Sequence, residues 1–246
     1  MARSRSSTSR ASSRFRSSRS SRSSRSPLRR LLRLALLAPV VLYALAVLAL
    51  VYVRFLPPPT TMVQLQRRVE ALVAGEDYDE RRHWRPLDEL PRVVPRAVVA
   101  AEDTRFHEHH GFDWVEFEKA GERARRTGQP RRGASTITQQ LVKNLFLTTH
   151  RSVLRKAAEY ALTPAADLIL PKDRILELYL NEIEWGPGVY GIEAAARHHY
   201  DRPASRLTRA QATRLAAIIP APRTRRPERM GRYAATIDAR MRAMGW

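Results

Sequence analysis

Cysteine is absent from this 246-residue chain. That suits a domain exported to a compartment where it does not rely on disulfides. The chain also lacks any internal repeat and any glycine-rich loop able to cradle a phosphate. Acidic residues are missing from residues 1–33, which instead hold eleven arginines in an Arg/Ser pattern such as SSRFRSSRSSRSSRS. Such a segment cannot bury enough apolar surface to offset its ordering entropy, so it is expected to be a disordered tail. Arginine-rich tails bind phosphate backbones. This one adjoins an apolar run, so it reads rather as a topology determinant that touches anionic lipid headgroups, and no nucleic-acid partner is expected.

Charge disappears altogether from Leu34 to Val53, LALLAPVVLYALAVLALVYV. As a helix this run spans about 30 Å, the thickness of a bilayer's hydrocarbon core. A cleaved signal peptide would have an apolar stretch of about 7–15 residues and a small-x-small site. Here RFLPPPTTM follows, so residues 34–53 read as an uncleaved single-pass anchor. With eleven arginines before the span and only Arg54 immediately after it, the N-terminus is expected in the cytoplasm and everything beyond residue 54 outside. The net charge of +20 is therefore concentrated at the front. The rest is moderately basic, enough to attract an anionic ligand or a membrane surface.

Beyond the anchor, residues 54–84 read as a linker and membrane-proximal segment opening on the stiff PPPTT. After it the pattern is helical almost throughout. FDWVEFEKAGERARR opens with Asp113 as N-cap and Glu116 three residues on, and LTRAQATRLAAIIP repeats the device with Thr208 and Gln211 before Pro220. Further helical stretches are expected near 135–147, 151–163, 172–184, 189–199 and 227–244. The fold class is mainly α.

Two regions carry chemistry. AAEDTRFHEHHGFDW, residues 100–114, gathers Glu102, Asp103 and three of the chain's seven histidines. His107, His109 and His110 are spaced poorly for the i, i+4 pair a helical zinc site wants. An acid/base reading fits better: Val98 to Ala101 form an apolar lead, so Glu102 would emerge at the end of a buried helix. Desolvation there would raise its pKa toward the range of a useful base, although a solvated surface carboxylate fits the residues as well. In RRGASTITQQLVKNLFL, residues 131–147, Ser135 or Thr136 can cap a helix with Ile137, Leu141 and Leu145 on its core side. Gln139, Gln140, Lys143 and Asn144 would line the other side, where amides and an ammonium suit sugar hydroxyls and phosphate oxygens. Arg151, Arg155 and Glu159 follow at i, i+4, i+8 with Lys156 beside them, a stripe that by itself is as readily a solvated ion-paired face.

EDTRFHEHHGFD, GASTITQQLVKNLFL, RSVLRKAAE, KDRILELYLNEIEWGPGVYGIEAAARHHY and LTRAQATRLAAIIPAP together resemble, in order and spacing, the peptidoglycan glycosyltransferase domain. That domain is shared with class A penicillin-binding proteins. The resemblance covers about residues 85–225. None of the four lysines has a serine three positions earlier, so the Ser-x-x-Lys motif of a transpeptidase half is absent and the chain resembles the monofunctional, membrane-anchored form.

The resemblance implies a lysozyme-like helical domain over 85–246 that polymerises lipid II into glycan strands at the outer face of the bacterial inner membrane. It matches Glu102 to the general base acting on the acceptor 4-hydroxyl and Glu159 to a carboxylate assisting at the donor pyrophosphate. A weakly held Mg²⁺ or Mn²⁺, arriving with substrate, is implied at Glu159. Lys143, Arg151, Arg155 and Lys156 match pyrophosphate-binding positions. Gln139, Gln140 and Asn144 match saccharide-contacting or site-shaping ones, and Ser135 and Thr136 the helix start. Asp103 belongs to the same substrate-binding set. His109 would support the loop, and Glu177, Tyr179 and Asn181 match a mainly structural motif. Expected partners are lipid II, the growing strand, the membrane, and cell-wall synthesis or divisome proteins. Departures are Ala134 for a second glycine, Asp167 and Pro171 for a common Glu and Ser, and Pro164, which is expected to kink or end a helix at a cost of about 3 kcal/mol. A lysozyme-like wall hydrolase and a non-catalytic lipid II-binding scaffold are the alternatives.

Overall fold

The computed structural model describes residues 27–128 and 135–246, with side chains from residue 37 onward. Ala134 and residues 1–26 of the Arg/Ser segment lie outside the described residues. Helix α1 runs Pro27–Phe55, starting seven residues ahead of the apolar run. The chain divides between Val41 and Leu42. Of the first unit only the opening of α1 is described; the second, Leu42–Trp246, holds everything else.

From Leu37 to Phe55 α1 is long and apolar enough to cross a membrane, 19 residues or about 28 Å. Val40, Leu42, Leu45 and Leu48 are exposed, whereas Leu50 and Val53 are buried and join the core. Its C-terminal end is fastened by arginines: Arg54 donates to the Ile169 carbonyl and Arg174 Nε to the Val53 carbonyl at 2.8 Å.

Residues 62–74 form α2 (Met62–Ala74), closed at its start by a reciprocal capping box of Thr61 and Gln64 and at its end by left-handed Gly75. The prolines before it are held by Arg82, which donates to the Pro59 carbonyl at 2.9 Å, to the Pro58 carbonyl, and to the buried carboxylate of Glu182. Burial pushes the Glu182 carboxyl up to about 7, against the pull of Arg82.

The helical body follows. Helix α3 (Val93–Glu102) buries Val94, Ala97, Val98, Val99 and Ala100 against α9 (Arg209–Ile218) and α10 (Gly231–Ala243). Helix α4 (Trp114–Thr127) starts on the Asp113 cap, and α9 on the Thr208–Gln211 box, as the spacing indicates. At the centre α5 (Ile137–Phe146) is packed by α2, α6 (Val153–Ile169) and α7 (Lys172–Glu182). Because it is surrounded, α5 has almost no exposed face. A three-stranded sheet of β1 (Arg81–Arg82), β2 (Glu184–Gly186) and β3 (Val189–Tyr190) has the order β1-β3-β2, with β1 parallel and β2 antiparallel to β3. Helix α8 (Ile192–Tyr200) completes the body.

Of the two outcomes expected at Pro164, a kink or an end, the structure excludes the end: α6 continues to Ile169. A proline removes one N–H from the ladder. Leu162 and Ala166, buried on either side, anchor both halves, and the Thr163 hydroxyl donates to the Glu159 carbonyl at 2.7 Å. Beyond the proline, Lys172 grips Asp167 at 2.6 Å. Packing outweighs the lost bond. Pro171 precedes α7 and leaves its start without a side-chain cap.

The tight turn between β2 and β3 depends on Gly188, at φ +72°, where an added Cβ would sit 2.4 Å from the Asp79 carbonyl oxygen. Both the left-handed backbone and the clash oppose a side chain there. Gly188→Ala is expected to destabilise the domain by about 2–4 kcal/mol in chemical denaturation; an unchanged midpoint would show that the β1–β3 edge yields freely.

Candidate active site

The functional side chains meet in one open cleft of about 1050 Å³. One wall is the C-terminus of α3. Glu102 is its last residue, half-buried, and burial raises its pKa above the ordinary carboxylate value. The bond from Gln140 and the charge of Lys143 pull the other way, less strongly. Gln140 Nε2 donates to Glu102 Oε2 at 2.8 Å, and its Oε1 accepts from the Tyr179 hydroxyl at 2.8 Å. The fully buried tyrosine thus fixes which end of the amide faces Glu102. The family resemblance implies only a structural part for Tyr179; its link to Glu102 is a tertiary contact with no local signal.

This relay makes a prediction for pH. A base whose pKa is raised by burial gains activity as pH rises through that raised value, so the acidic limb of kcat/KM is expected above the usual glutamate range. Tyr179→Phe frees Gln140 to turn away, removing a bond that favours the charged carboxylate. The limb should then move to still higher pH. A limb that stays in place would separate Tyr179 from the base.

Another part of the lining is a cationic wall. Glu159, buried on α6, accepts from Arg155 Nη1 at 2.7 Å and from Lys156 Nζ. Arg155 Nε is buried with no hydrogen-bond partner among the described residues. Lys143 feels the charges of Glu159, Arg155 and Glu102, while burial, the dominant cause, holds its pKa below the ordinary lysine value. Arg151 and Ser135 are exposed and line the same cleft. Arg151 is not part of a helical stripe, however: Ser152 takes the N-cap by accepting from the Arg155 amide at 3.1 Å, which leaves Arg151 in the loop before α6.

Gln139 and Asn144, expected as saccharide-contacting or site-shaping residues, do not line the cleft, which leaves them the site-shaping part. Gln139 is buried and closes the Thr136 capping box, its Oε1 accepting from the Thr136 amide at 2.9 Å. Asn144 is buried and donates to the Gln140 carbonyl at 2.8 Å. The reason is the encirclement of α5, which leaves only Gln140 and Lys143 free to reach the opening. Thr136 lines the cleft but donates to the Gly111 carbonyl at 2.7 Å. Residues not anticipated from sequence also line it: Tyr233 and Arg240 from α10, and Thr149. Arg240 reaches the Ala100 carbonyl at 3.2 Å.

Asp103 is buried beside Glu102 and ties three segments together. It accepts from the Ile137 amide at the start of α5 at 3.0 Å, and from His109 Nε2 at 3.0 Å. His107 and His110 are exposed, so the three rings do not converge. Elsewhere in the motif, Glu177 accepts from the Leu87 amide at 3.1 Å and Asn181 brackets the Arg85 backbone.

Asp103, His109 and Asp113 lie close enough to hold a cation. Their oxygens, however, already serve the Ile137 and Glu116 amides, His109 and Arg105. Glu159 is likewise occupied by two cationic side chains. Neither group fits a resident divalent ion.

A helical body whose cleft holds a half-buried carboxylate together with a cationic wall suits proton transfer beside a developing negative charge. The family model described as Transglycosylase matches residues 68–244. Relatives named biosynthetic peptidoglycan transglycosylase are 44% identical over 82% of this chain and 87% of their own length in Pseudomonas aeruginosa, and 46% over 82% and 87% in Chromohalobacter salexigens. Another, from Ectopseudomonas mendocina, is 47% identical over 82% and 84%. The chain belongs to the transglycosylase family.

Proposed function

We propose that this protein polymerises lipid II into linear glycan strands, with α1 as a single-pass anchor, its N-terminus cytoplasmic and its cleft on the outer side of the bacterial inner membrane. The observation that carries the reading is the pairing, across one cleft, of a desolvated carboxylate with a patch of Lys143, Arg155 and Lys156.

Glu102, oriented by Gln140, accepts the proton of the acceptor's GlcNAc 4-hydroxyl as that oxygen attacks the donor's anomeric carbon. The bond to the lipid pyrophosphate breaks on the opposite side, with inversion. Lys143, Arg151, Arg155 and Lys156 meet the charge that develops on the departing oxygen. Glu159 holds Arg155 and Lys156 in place rather than touching the anion itself. Mg²⁺ or Mn²⁺ is proposed to bind only together with the pyrophosphate, whose oxygens would supply the ligands that Glu159 alone does not; it would add positive charge there.

Incubating the purified full-length protein with labelled lipid II tests the reading. Polymer is the expected product. Muropeptides released from finished wall would make it a hydrolase, and binding without turnover a scaffold.

A further inference from the structure

The loop that carries Arg151 into the cleft, residues 148–151, has no regular secondary structure. Among the described residues, each of its side-chain hydrogen bonds and ion pairs goes to a single element, α2. Gln66 makes the main contact with both ends of its carboxamide. Its Oε1 accepts from the Thr149 backbone amide at 2.7 Å, and its Nε2 donates to Thr149 Oγ1 at 2.8 Å. The second Nε2 hydrogen goes to Glu70, which Arg67 holds at 2.7 Å, and His150 lies 3.9 Å from the same Glu70. The anchor is firm: α2 buries Val63 and Ala71, and Gln64 Nε2 donates to the buried Glu182 at 3.1 Å. Residue 66 precedes the segment that matches the family model, which starts at 68.

We propose that Gln66 is a positioning residue for the donor side of the reaction: by gripping Thr149 at two points it holds the loop so that Arg151, two residues on, points its guanidinium into the cleft. A flexible loop would have to order Arg151 anew for each donor, at an entropic cost that a fixed loop avoids. The reading also accounts for why a carboxamide stands here. Only an amide offers the acceptor that the Thr149 N–H needs together with donors for both the Thr149 hydroxyl and Glu70. The inference rests on the proposed donor-side role of the cationic wall.

The test is a double-mutant cycle on the full-length protein, with initial rates of lipid II polymerisation as the readout. Gln66→Met keeps the side chain's size and removes its bonds; it should lower kcat/KM about tenfold with a melting temperature within about 2 °C of wild type. Arg151→Ala should lower the rate on its own. In that background Gln66→Met should cost nothing further, because the residue it positions is gone. Thr149→Val, which deletes the hydroxyl contact and leaves the backbone one, should show a smaller loss in the same direction. Wild-type rates for Gln66→Met, or losses that multiply with Arg151→Ala, would overturn the inference. Arg151→Ala at full activity would instead sink the donor-side reading on which it stands. Should Gln66→Met fail to fold, Thr149→Val takes its place in the cycle, and losses that multiply with Arg151→Ala would again overturn the inference.

Discussion

Glu102→Gln is expected to lower polymerisation by about 10²–10⁴-fold, the usual contribution of a positioned proton acceptor, while lipid II binding and the melting temperature hold or improve. The amide keeps the carboxylate's shape and can still accept the bond from Gln140. It cannot take a proton. Folding should not suffer, because the wild-type group carries a desolvation cost that the neutral amide escapes. Turnover of labelled lipid II, binding and thermal melting measured on the same preparation make the check. Elongation at more than about a tenth of the wild-type rate would remove Glu102 from the proton-accepting role, since no base contribution in that range could then be assigned to it.

The second large effect belongs to Lys143. It is the only cationic side chain that α5 sends to the cleft, where it is half-buried and burial lowers its pKa from the ordinary lysine value. An ammonium held in that setting is expected to act on a departing anion with less solvent screening than at an open surface, as a preorganised oxyanion donor does. Lys143→Ala should reduce kcat by about 10²–10³-fold, more than it raises KM, because the charge it meets grows as the pyrophosphate leaves. Steady-state kinetics across lipid II concentrations separate the two parameters. A change confined to KM would mean that Lys143 binds the donor equally before and during departure. No change in either would reduce the cationic wall to a solvated surface.

How much of this was visible in the sequence varies with the range of the interaction. The caps at Asp113 and Thr208 could be read because a cap is a contact over three residues. The apolar lead into Glu102 likewise indicated a carboxyl at the end of a buried helix. The sidedness of α5 could not be read: its amides look like a polar face until α2, α6 and α7 close around them and turn Gln139 and Asn144 inward. Whether Pro164 would end its helix could not be read, because the local penalty gives no sight of the packing of Leu162 and Ala166 that outweighs it. Helix α2 hid for a different reason. Its exposed positions Leu65, Val69, Leu72 and Val73 are apolar and several buried or contact positions are polar, so hydropathy points away from the face that packs. The two- and three-residue strands carry too few residues to show any alternation.

The arginine fastenings where α1 ends turn what would be a leash into a rivet. Left slack, the six residues between Phe55 and Met62 could pay out about 20 Å of chain. Instead Val53, Pro58 and Pro59 are each gripped by an arginine of the catalytic body, and Arg54 grips the body in return. Extra residues spliced among the prolines would bulge sideways and leave the cleft at its original height. On the proposed reading of α1 as the anchor, slack in the proline segment would therefore not be passed on to the cleft, because the grips at Val53 and Arg54 bypass it.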